Sequence, residues 1–366
     1  MRKRVAIVTA ALFLVTLLSG FAYAGETNEN YPNVIQLTLD EAVDKALANS
    51  KELKQADYDI ERGEKVREKV AEYVQYIPAG PSPEAASAAF TALVRSDLAW
   101  QMSKKTKNIK ADAVVLSVFQ AYTNVLTAQE EVAAAEVALK NAEWQRRAAR
   151  ASYQVGMSSV AAKVQAEAGY ELRKAALEAA RQGLIDKYQA LNNLVGLKPE
   201  DRPVLVDIPE FVPFKINNLE AEIQRRLEMS PSIWLADRNI DLAKLELNLY
   251  DWNTAQEPYS AKKIDVSTAE LKAANAKEQM RQGLRAIYNK ILQLEENYAL
   301  QQQNLKIAEE NLRVVQVQFD VGMATKAQLL EAESQVAEAK KNLASTVYTH
   351  EVLKLQFDKP WAAATA

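Results

Sequence analysis

The chain offers few residues with which an enzyme could carry out chemistry. Among 366 residues there is one histidine, His350, and no cysteine, so neither a His/Cys metal site nor a cysteine nucleophile is indicated. Acidic residues such as Glu130 and Glu131 recur at helical spacing with basic residues such as Arg146 and Arg147, a pattern typical of solvated coiled-coil surfaces. There is no Gly-rich phosphate-binding motif. We therefore predict a protein that is not an enzyme and that uses no metal or cofactor.

The most informative pattern is an internal repeat. The segment Tyr153-Gln-Val-Gly-Met-Ser-Ser159 returns 166 residues later as Phe319-Asp-Val-Gly-Met-Ala-Thr325. An earlier block, residues 46–50, returns at residues 226–230 with an offset of 180. Because the repeated unit reads as a long helix, a glycine turn and a return helix, the duplication predicts a pseudo-symmetric, all-α-dominated fold.

The elements around the repeat are predicted to be helices. In the first copy, Phe90, Val94, Leu98 and Met102 recur every four residues, which favours a helix over a strand, and this helix continues to about Val155. Gly156 ends it, and Ser158 or Ser159 can cap the return helix.

In the second copy we predict a helix over 219–250 and a loop over 251–266. Ser267-Thr-Ala-Glu270 has the pattern of a capping box and would begin the next long helix, which Gly322 ends.

One helix row contains only alanine. Its members fall every seven residues, which is the heptad spacing of a coiled coil, and they are Ala121, Ala128, Ala135, Ala142 and Ala149. Such small side chains bury little area by themselves but allow helix backbones to approach closely. We expect the neighbours of this row to come from adjacent hairpins of an oligomer.

The N-terminus has the features of a secretory signal. The basic segment Arg2-Lys3-Arg4 precedes an apolar run, and Ala22-Tyr23-Ala24 has the small-x-small pattern of a cleavage site. Residues 1–24 hold three basic and no acidic residues, so their removal changes the net charge from −3 to −6, which argues against a nucleic-acid partner. The predicted organisation is a signal peptide (1–24), a first repeat (25–200), a Pro-rich connector (201–216) and a second repeat (217–366).

These residues resemble the TolC family of outer membrane efflux proteins. The resemblance rests on Leu39-Asp-Glu-Ala42, on Asn49-Ser50, on both Val-Gly-Met turns and on the exit Asn193-Leu-Val-Gly-Leu197, and it covers nearly the whole chain after residue 24. It implies two tandem repeats of long antiparallel coiled-coil hairpins, as in a TolC-like α-barrel protomer. It also implies a homotrimer that serves as an export duct in the cell envelope.

The resemblance also implies sites. Its hairpin tips would dock on a periplasmic adaptor of an inner-membrane pump, and here they are Val155, Gly156, Met157, Ser158, Ser159, Val321, Gly322, Met323, Ala324 and Thr325. The alternative is that these residues are only efficient turns between helices. The best-known channels of the family carry two acidic residues six and nine positions after the second tip glycine, at the pore constriction. Here those positions are Gln328 and Glu331, so one of the two matches.

The chain departs from the family between the helices of each repeat. Family members normally carry a pair of amphipathic strands there. In this chain, residues 76–102 contain a Pro-rich segment followed by helical spacing, and residues 251–266 have room for one short strand at most. We therefore expect the strand part to be reduced or absent. Any membrane contact would be weak and superficial, through the side chains of Tyr76, Ile77, Phe90, Trp100, Trp252 and Tyr259.

Two other functions fit the same sequence. One is a non-pore coiled-coil scaffold of the cell envelope, which spans a periplasm-like space or binds a partner coiled coil. The other is a periplasmic adaptor, but adaptors carry β-rich domains around a single hairpin, and no such domains are indicated by this sequence. The oligomeric state separates the duct from the scaffold. In either case we predict export to the cell envelope, at an outer membrane or in a periplasm-like space.

Overall fold

The computed structural model describes residues 35–78, 80, 83–250, 252 and 257–362. The signal peptide predicted for residues 1–24 lies outside these residues. In chain order the described elements are β1 (Gln36–Leu37), α1 (Leu39–Asn49), α2 (Lys51–Ala71), α3 (Glu84–Gln154), α4 (Val160–Val195), β2 (Val204–Leu205), α5 (Leu219–Met229), α6 (Pro231–Asn248), α7 (Tyr259–Asp320) and α8 (Lys326–Asp358).

The sequence repeat is also a structural repeat. Helices α1 to α4 form the first copy and α5 to α8 the second, each with two short helices, one very long helix and a return helix. In both copies a serine separates the two short helices. The Oγ of Ser50 accepts a hydrogen bond from the N–H of Leu53 at 3.2 Å, and the Oγ of Ser230 accepts one from the N–H of Ile233 at 3.5 Å. Each serine thus caps the following helix, so the single helix predicted over 219–250 is in fact two helices.

Four long helices form one layer in the half of the molecule that contains the tips. Helix α3 packs against both α4 and α8, and α7 packs against α8, which gives the order α4–α3–α8–α7. Helices α4 and α7 are therefore the two edges of the layer. In the other half, α2, α3, α6 and α7 pack in that order. With 71 residues, α3 runs through both halves and is about 105 Å long at 1.5 Å per residue.

The main apolar core lies where the two halves meet. Strands β1 and β2 pair in parallel beside α3, and the hydroxyl of Tyr122 bridges them. It donates to the carbonyl of Leu37 at 3.2 Å and accepts from the N–H of Asp207 at 3.0 Å. Val347 of α8 belongs to the same cluster, so this core joins the two repeats. Each large apolar side chain buried here contributes about 1.5–3 kcal/mol.

The predicted start of the last long helix was wrong. Helix α7 begins at Tyr259, directly after Pro258, and not at Ser267. Ser267 lies within the helix, where its hydroxyl donates to the carbonyl of Lys263 at 3.2 Å. The region predicted as a loop over 251–266 is therefore helical from residue 259. By contrast, the helical spacing after residue 84 is confirmed, since α3 begins at Glu84. Among the described residues the only strands are β1 and β2.

Within the described part of the chain, none of the helices combines the length and the apolar character needed to cross a membrane.

Candidate functional site at the hairpin tips

The first tip, residues 155–159, joins α3 to α4 through a tight turn. Gly156 has a φ of 74°, in the left-handed region. The N–H of Met157 donates to the carbonyl of Ser152 at 2.8 Å, and the N–H of Gly156 donates to the carbonyl of Tyr153 at 3.0 Å. These two bonds define a Schellman motif, which satisfies the last carbonyls of the helix. Ser159 then caps α4 by accepting the N–H of Ala162 at 3.2 Å.

The second tip, residues 321–325, repeats this geometry. Gly322 has a φ of 79°, the N–H of Met323 donates to the carbonyl of Gln318 at 2.7 Å, and the N–H of Gly322 donates to the carbonyl of Phe319 at 3.0 Å. Thr325 caps α8 in a capping box with Gln328. A Cβ added to either glycine would meet no atom within 4 Å. The glycines are therefore required by the backbone conformation and not by lack of space.

Both tips expose apolar side chains. The exposed fractions are 69% for Val155, 83% for Met157, 65% for Val321 and 80% for Met323. The Schellman turn needs only the glycine between them, so these four side chains contribute nothing to the turn itself. The same pair of exposed side chains is nevertheless present at both tips. Methionine adapts its shape easily to a partner, which makes these positions suitable for docking.

The two tips lie at the same end of the molecule. Asn141 of α3 donates to the Oε2 of Glu331 of α8 at 2.7 Å, while Asp112 of α3 pairs with Lys359 just after α8, so these helices run in opposite directions. From the Asn141–Glu331 bond, α3 continues for 13 residues to Gln154, whereas α8 begins only five residues before Glu331. At 1.5 Å per residue, the first tip extends roughly 10 Å beyond the second. A partner approaching this end would meet the first tip before the second.

The two positions predicted for a constriction have distinct environments. The Oε1 of Gln328 accepts the N–H of Thr325 at 2.8 Å, so this side chain is part of the helix cap. Glu331 is exposed, and the amide of Asn141 holds its carboxylate. Sequence reasoning missed Asn141, because nothing in the sequence indicates which face of α3 meets α8.

The edges of the layer form a second candidate surface. On α4 the exposed apolar residues include Val160, Val164 and Leu172, the last being 68% exposed. On α7 they include Ile307, which is 67% exposed, and Val317, which is 53% exposed. Neither edge helix has a second long helix beside it in one chain. The alanine row behaves differently from its prediction, because its members at 121, 128 and 142 are already buried within a single chain.

The end opposite the tips carries an aromatic cluster. The ring centroids of Tyr250 and Trp252 are 5.1 Å apart, and those of Trp252 and Tyr259 are 4.8 Å apart. Trp252 is 68% exposed, and Ile77 at the same end is 75% exposed. Trp100, which we expected at a membrane surface, is instead half-buried beneath the ammonium of Lys104, 3.1 Å from its ring.

A cavity of about 630 Å³ lies between α2, α3 and α6. Its lining includes the apolar residues Leu98, Met102 and Leu242. Arg95, which also lines it, is paired with Glu246 at 2.5 Å. Among the described residues no group of three or more His, Cys, Asp or Glu could hold a metal ion. The features that stand out among the described residues are therefore exposed apolar surfaces at the tips and at the edges of the layer.

Comparisons with known proteins agree with this geometry. Residues 242–349 match the family model described as outer membrane efflux protein. No curated protein sequence matches the chain. The fold is similar to that of a membrane protein from Pseudomonas aeruginosa, with a TM-score of 0.64 and 16% identity over 88% of this chain and 93% of that one.

Two outer membrane channels have the same fold. For the CmeC channel of Campylobacter jejuni the TM-score is 0.63 with 15% identity, covering 88% of this chain and 85% of that one. For the open state of the MtrE channel of Neisseria gonorrhoeae the TM-score is 0.60 with 18% identity, covering 88% of each chain. The match to the outer membrane efflux protein model agrees with the predictions of a cell-envelope location and of a transport protein and not an enzyme. The chain thus matches the outer membrane efflux protein model over residues 242–349 and shares the fold of outer membrane channels over its described residues.

Proposed function

We propose that the chain assembles as a homotrimer whose six hairpins enclose an export duct. The observation that carries this proposal is the open layer α4–α3–α8–α7. Its two edges differ from each other, so α4 of one copy would pack against α7 of the next. Such head-to-tail contacts close into a ring when the rotation between copies allows it. The resemblance of the sequence to the TolC family supports three copies in this ring.

The exposed apolar residues on the two edges support this pairing. Leu172 of α4 and Val317 of α7 are both largely exposed in one chain. Three contacts fix how far each helix of the layer is shifted along its neighbour: Arg150–Glu167 between α3 and α4, Asn141–Glu331 between α3 and α8, and Asn311–Gln335 between α7 and α8. With these shifts, Leu172 and Val317 lie at about the same distance from the tips. Burial of these side chains between copies would remove apolar surface from water at about 25 cal/mol per Å².

The tips would dock on a periplasmic adaptor of an inner-membrane pump. The support is the shared geometry of Val155, Met157, Val321 and Met323, which are exposed on rigid turns that do not need them. An adaptor with an apolar socket at the end of its own helical hairpin fits this surface. Gln328 and Glu331 would then lie just inside the duct entrance, where Glu331 remains the candidate for a charged constriction.

At the opposite end, we propose a superficial contact with a bilayer surface. Tyr76, Ile77 and Trp252 are each at least half exposed there, and aromatic rings favour the membrane–water interface. Co-sedimentation with phosphatidylethanolamine/phosphatidylglycerol vesicles tests this contact. We expect the Ile77→Ser/Trp252→Ser variant to bind fewer vesicles than the parent, whereas Tyr58→Ser, at another exposed aromatic on α2, should bind as the parent does.

The absence of cysteine from the sequence allows a direct test of the assembly. We would combine Leu172→Cys with Cys at Ile307, Val314 or Val317 in turn, and oxidise each purified protein. Since α4 and α7 are the two edges of the layer in one chain, a disulfide between them would join different copies. We expect at least one pair to give a denaturing-gel ladder that ends at three chains.

A control pair is available between α2 and α3 of one chain. A Cβ added to Gly63 would lie 3.6 Å from the Cβ of Trp100, which is within disulfide reach, so Gly63→Cys/Trp100→Cys should cross-link within single chains. If this control forms its disulfide while all the edge pairs leave only monomers, the duct is wrong, and the non-pore scaffold becomes the better account. A ladder that continues beyond three chains would also contradict a closed trimer.

A further inference from the structure

The only histidine of the chain is fully buried between two carboxylates. The Nε2 of His350 lies 3.2 Å from the Oε1 of Glu295 on α7, and its Nδ1 lies 3.1 Å from the Oε1 of Glu351 on α8. A neutral imidazole has one N–H donor and one acceptor nitrogen, and an ionised carboxylate can only accept. Both contacts can therefore be hydrogen bonds only when the ring carries two protons.

Other donors hold both carboxylates in place. The Oε1 of Glu295 also accepts the backbone N–H of Phe214 at 2.6 Å, and the Oε1 of Glu351 also accepts from the ammonium of Lys354 at 2.8 Å. Burial raises the pKa of the Glu351 carboxyl, but hydrogen bonds from His350 and Lys354 outweigh this and bring it below its ordinary value. The carboxylates are thus arranged as acceptors, and the imidazole is arranged as a donor from both nitrogens.

The network attaches the connector, residues 201–216, to the second hairpin. Phe214 is held through Glu295, and the carbonyl of Val212 accepts from Lys354 at 3.0 Å. The ring of Phe211 stacks on Tyr298 at 3.7 Å and tilts against His350 at 4.9 Å. Three neighbouring connector residues therefore depend on the same cluster.

The charges in the cluster balance when His350 is protonated. The groups around it are Glu295 and the phenol of Tyr298 from α7, Glu351 and Lys354 from α8, and the ring of Phe211 from the connector. Two cations then face two anions. Loss of the histidine proton would leave a net negative charge beside a buried ring and would place a nitrogen lone pair against a carboxylate oxygen, which is unfavourable at a site with little water.

We propose that His350 is a pH-sensitive clasp, which holds the connector against the α7–α8 hairpin when protonated and releases it when deprotonated. The connector is the covalent link between the two repeats, so its release loosens one attachment of the first repeat to the second. The inference does not depend on the trimer or on adaptor docking, because every group in it belongs to one chain.

A single histidine makes the protonation state directly measurable. We would label the full chain with ¹³C,¹⁵N-histidine and follow the ring nitrogens by NMR from pH 5 to pH 9. At low pH we expect two ring N–H signals that exchange slowly with water. Over the pH range in which one of them is lost, we expect hydrogen exchange of the backbone amides in residues 206–216 to become roughly tenfold faster.

Two variants separate the clasp from general destabilisation. His350→Gln cannot carry the charge, so its connector should exchange fast at every pH, with no step. Lys359→Gln removes the ion pair of Lys359 with Asp112 near the same end of α8 and should keep the step. Circular dichroism at each pH checks that each variant is folded. Phe211→Leu is a further variant, which weakens the packing of the connector but keeps His350. Its connector amides should exchange faster than those of the parent, and their exchange should still rise when His350 loses its proton.

Three results would overturn the proposal. One is a ring with a single N–H over the whole pH range. Another is a histidine that loses its proton while exchange in residues 206–216 stays constant. The third is a pH step that persists in His350→Gln, since another group would then control the connector.

Discussion

The amide of Asn141 and the carboxylate of Glu331 form a hydrogen bond of 2.7 Å that joins the first repeat to the second near the tips. Lys140 and Glu333 add an ion pair at 3.5 Å beside it. These are the described polar links between α3 and α8 closest to the tips, so they fix the spacing of the two hairpins at this end.

Removal of this link should therefore loosen the tips relative to each other. In Lys140→Gln/Asn141→Ala, spin labels on cysteines at Ser158 and Ala324 should show a broader distance distribution than in the parent. The matched control is Asn311→Ala, which removes an exposed bond to Gln335 within the second hairpin. Equal broadening in both variants would show that the link does not set the spacing.

The tip glycines should resist substitution for a backbone reason. Gly156→Ala and Gly322→Ala place a Cβ on a left-handed residue, and each should lower the free energy of unfolding by about 1–2 kcal/mol. Gly283→Ala on α7 should have the opposite effect. An added Cβ there likewise meets no atom within 4 Å, but the backbone of Gly283 is helical, so alanine fits it without strain. We expect this change to raise the free energy of unfolding by about 0.5–1 kcal/mol. Thermal unfolding of the three variants measures whether each change lowers or raises the free energy of unfolding. Unchanged stability of the two tip variants would contradict the claim that the tips require glycine.

The exposed tip methionines should matter for docking and not for folding. Met157→Ser and Met323→Ser replace side chains that are at least 80% exposed, so melting temperatures should stay close to that of the parent. When the double variant is purified from the cells that make this protein, less periplasmic adaptor should co-purify with it than with the parent. Leu271→Ser, at a residue 65% exposed but far from the tips, is the control. Undiminished co-purification would leave the tips as turns without a docking role.

The buried Tyr122 predicts a pH effect at the junction of the strands. Burial raises the pKa of its hydroxyl from 10.0 to about 12. The folded state therefore keeps the proton at a pH at which the unfolded chain loses it. The stabilising contribution is complete below pH 10 and is lost as the pH rises through about 12. The free energies of unfolding of the parent and of Tyr122→Phe should differ at pH 8 and approach each other towards pH 12. A difference that stays constant with pH would contradict the raised pKa of Tyr122.

Much of the fold could be predicted because the sequence marks it locally. The Val-Gly-Met turns and the 166-residue offset identified both tips, and their glycines are indeed left-handed. The start of α7 was predicted wrongly because Ser267 and Glu270 have the spacing of a capping box in the middle of a helix, while Pro258 provides the actual boundary. The helix break at Ser230 was also missed, since a capping serine interrupts the helix without interrupting the apolar pattern.

The polar networks could not be predicted from the sequence. His350 contacts Glu295, 55 residues away, and shares that carboxylate with Phe214, 81 residues from it. Only the packing of α7, α8 and the connector brings them together. For the same reason the alanine row was assigned to contacts between copies, although Ala121 and Ala128 pack within one chain. The domain boundaries and the roles of Gln328 and Glu331 remain predictions.

The mass of the native particle tests the central claim most directly. Light scattering of the purified chain in mild detergent, over a wide range of concentrations, should give three times the mass of one chain, because each copy leaves one α4 edge and one α7 edge to be covered by its neighbours. A mass of one chain at every concentration would contradict the duct.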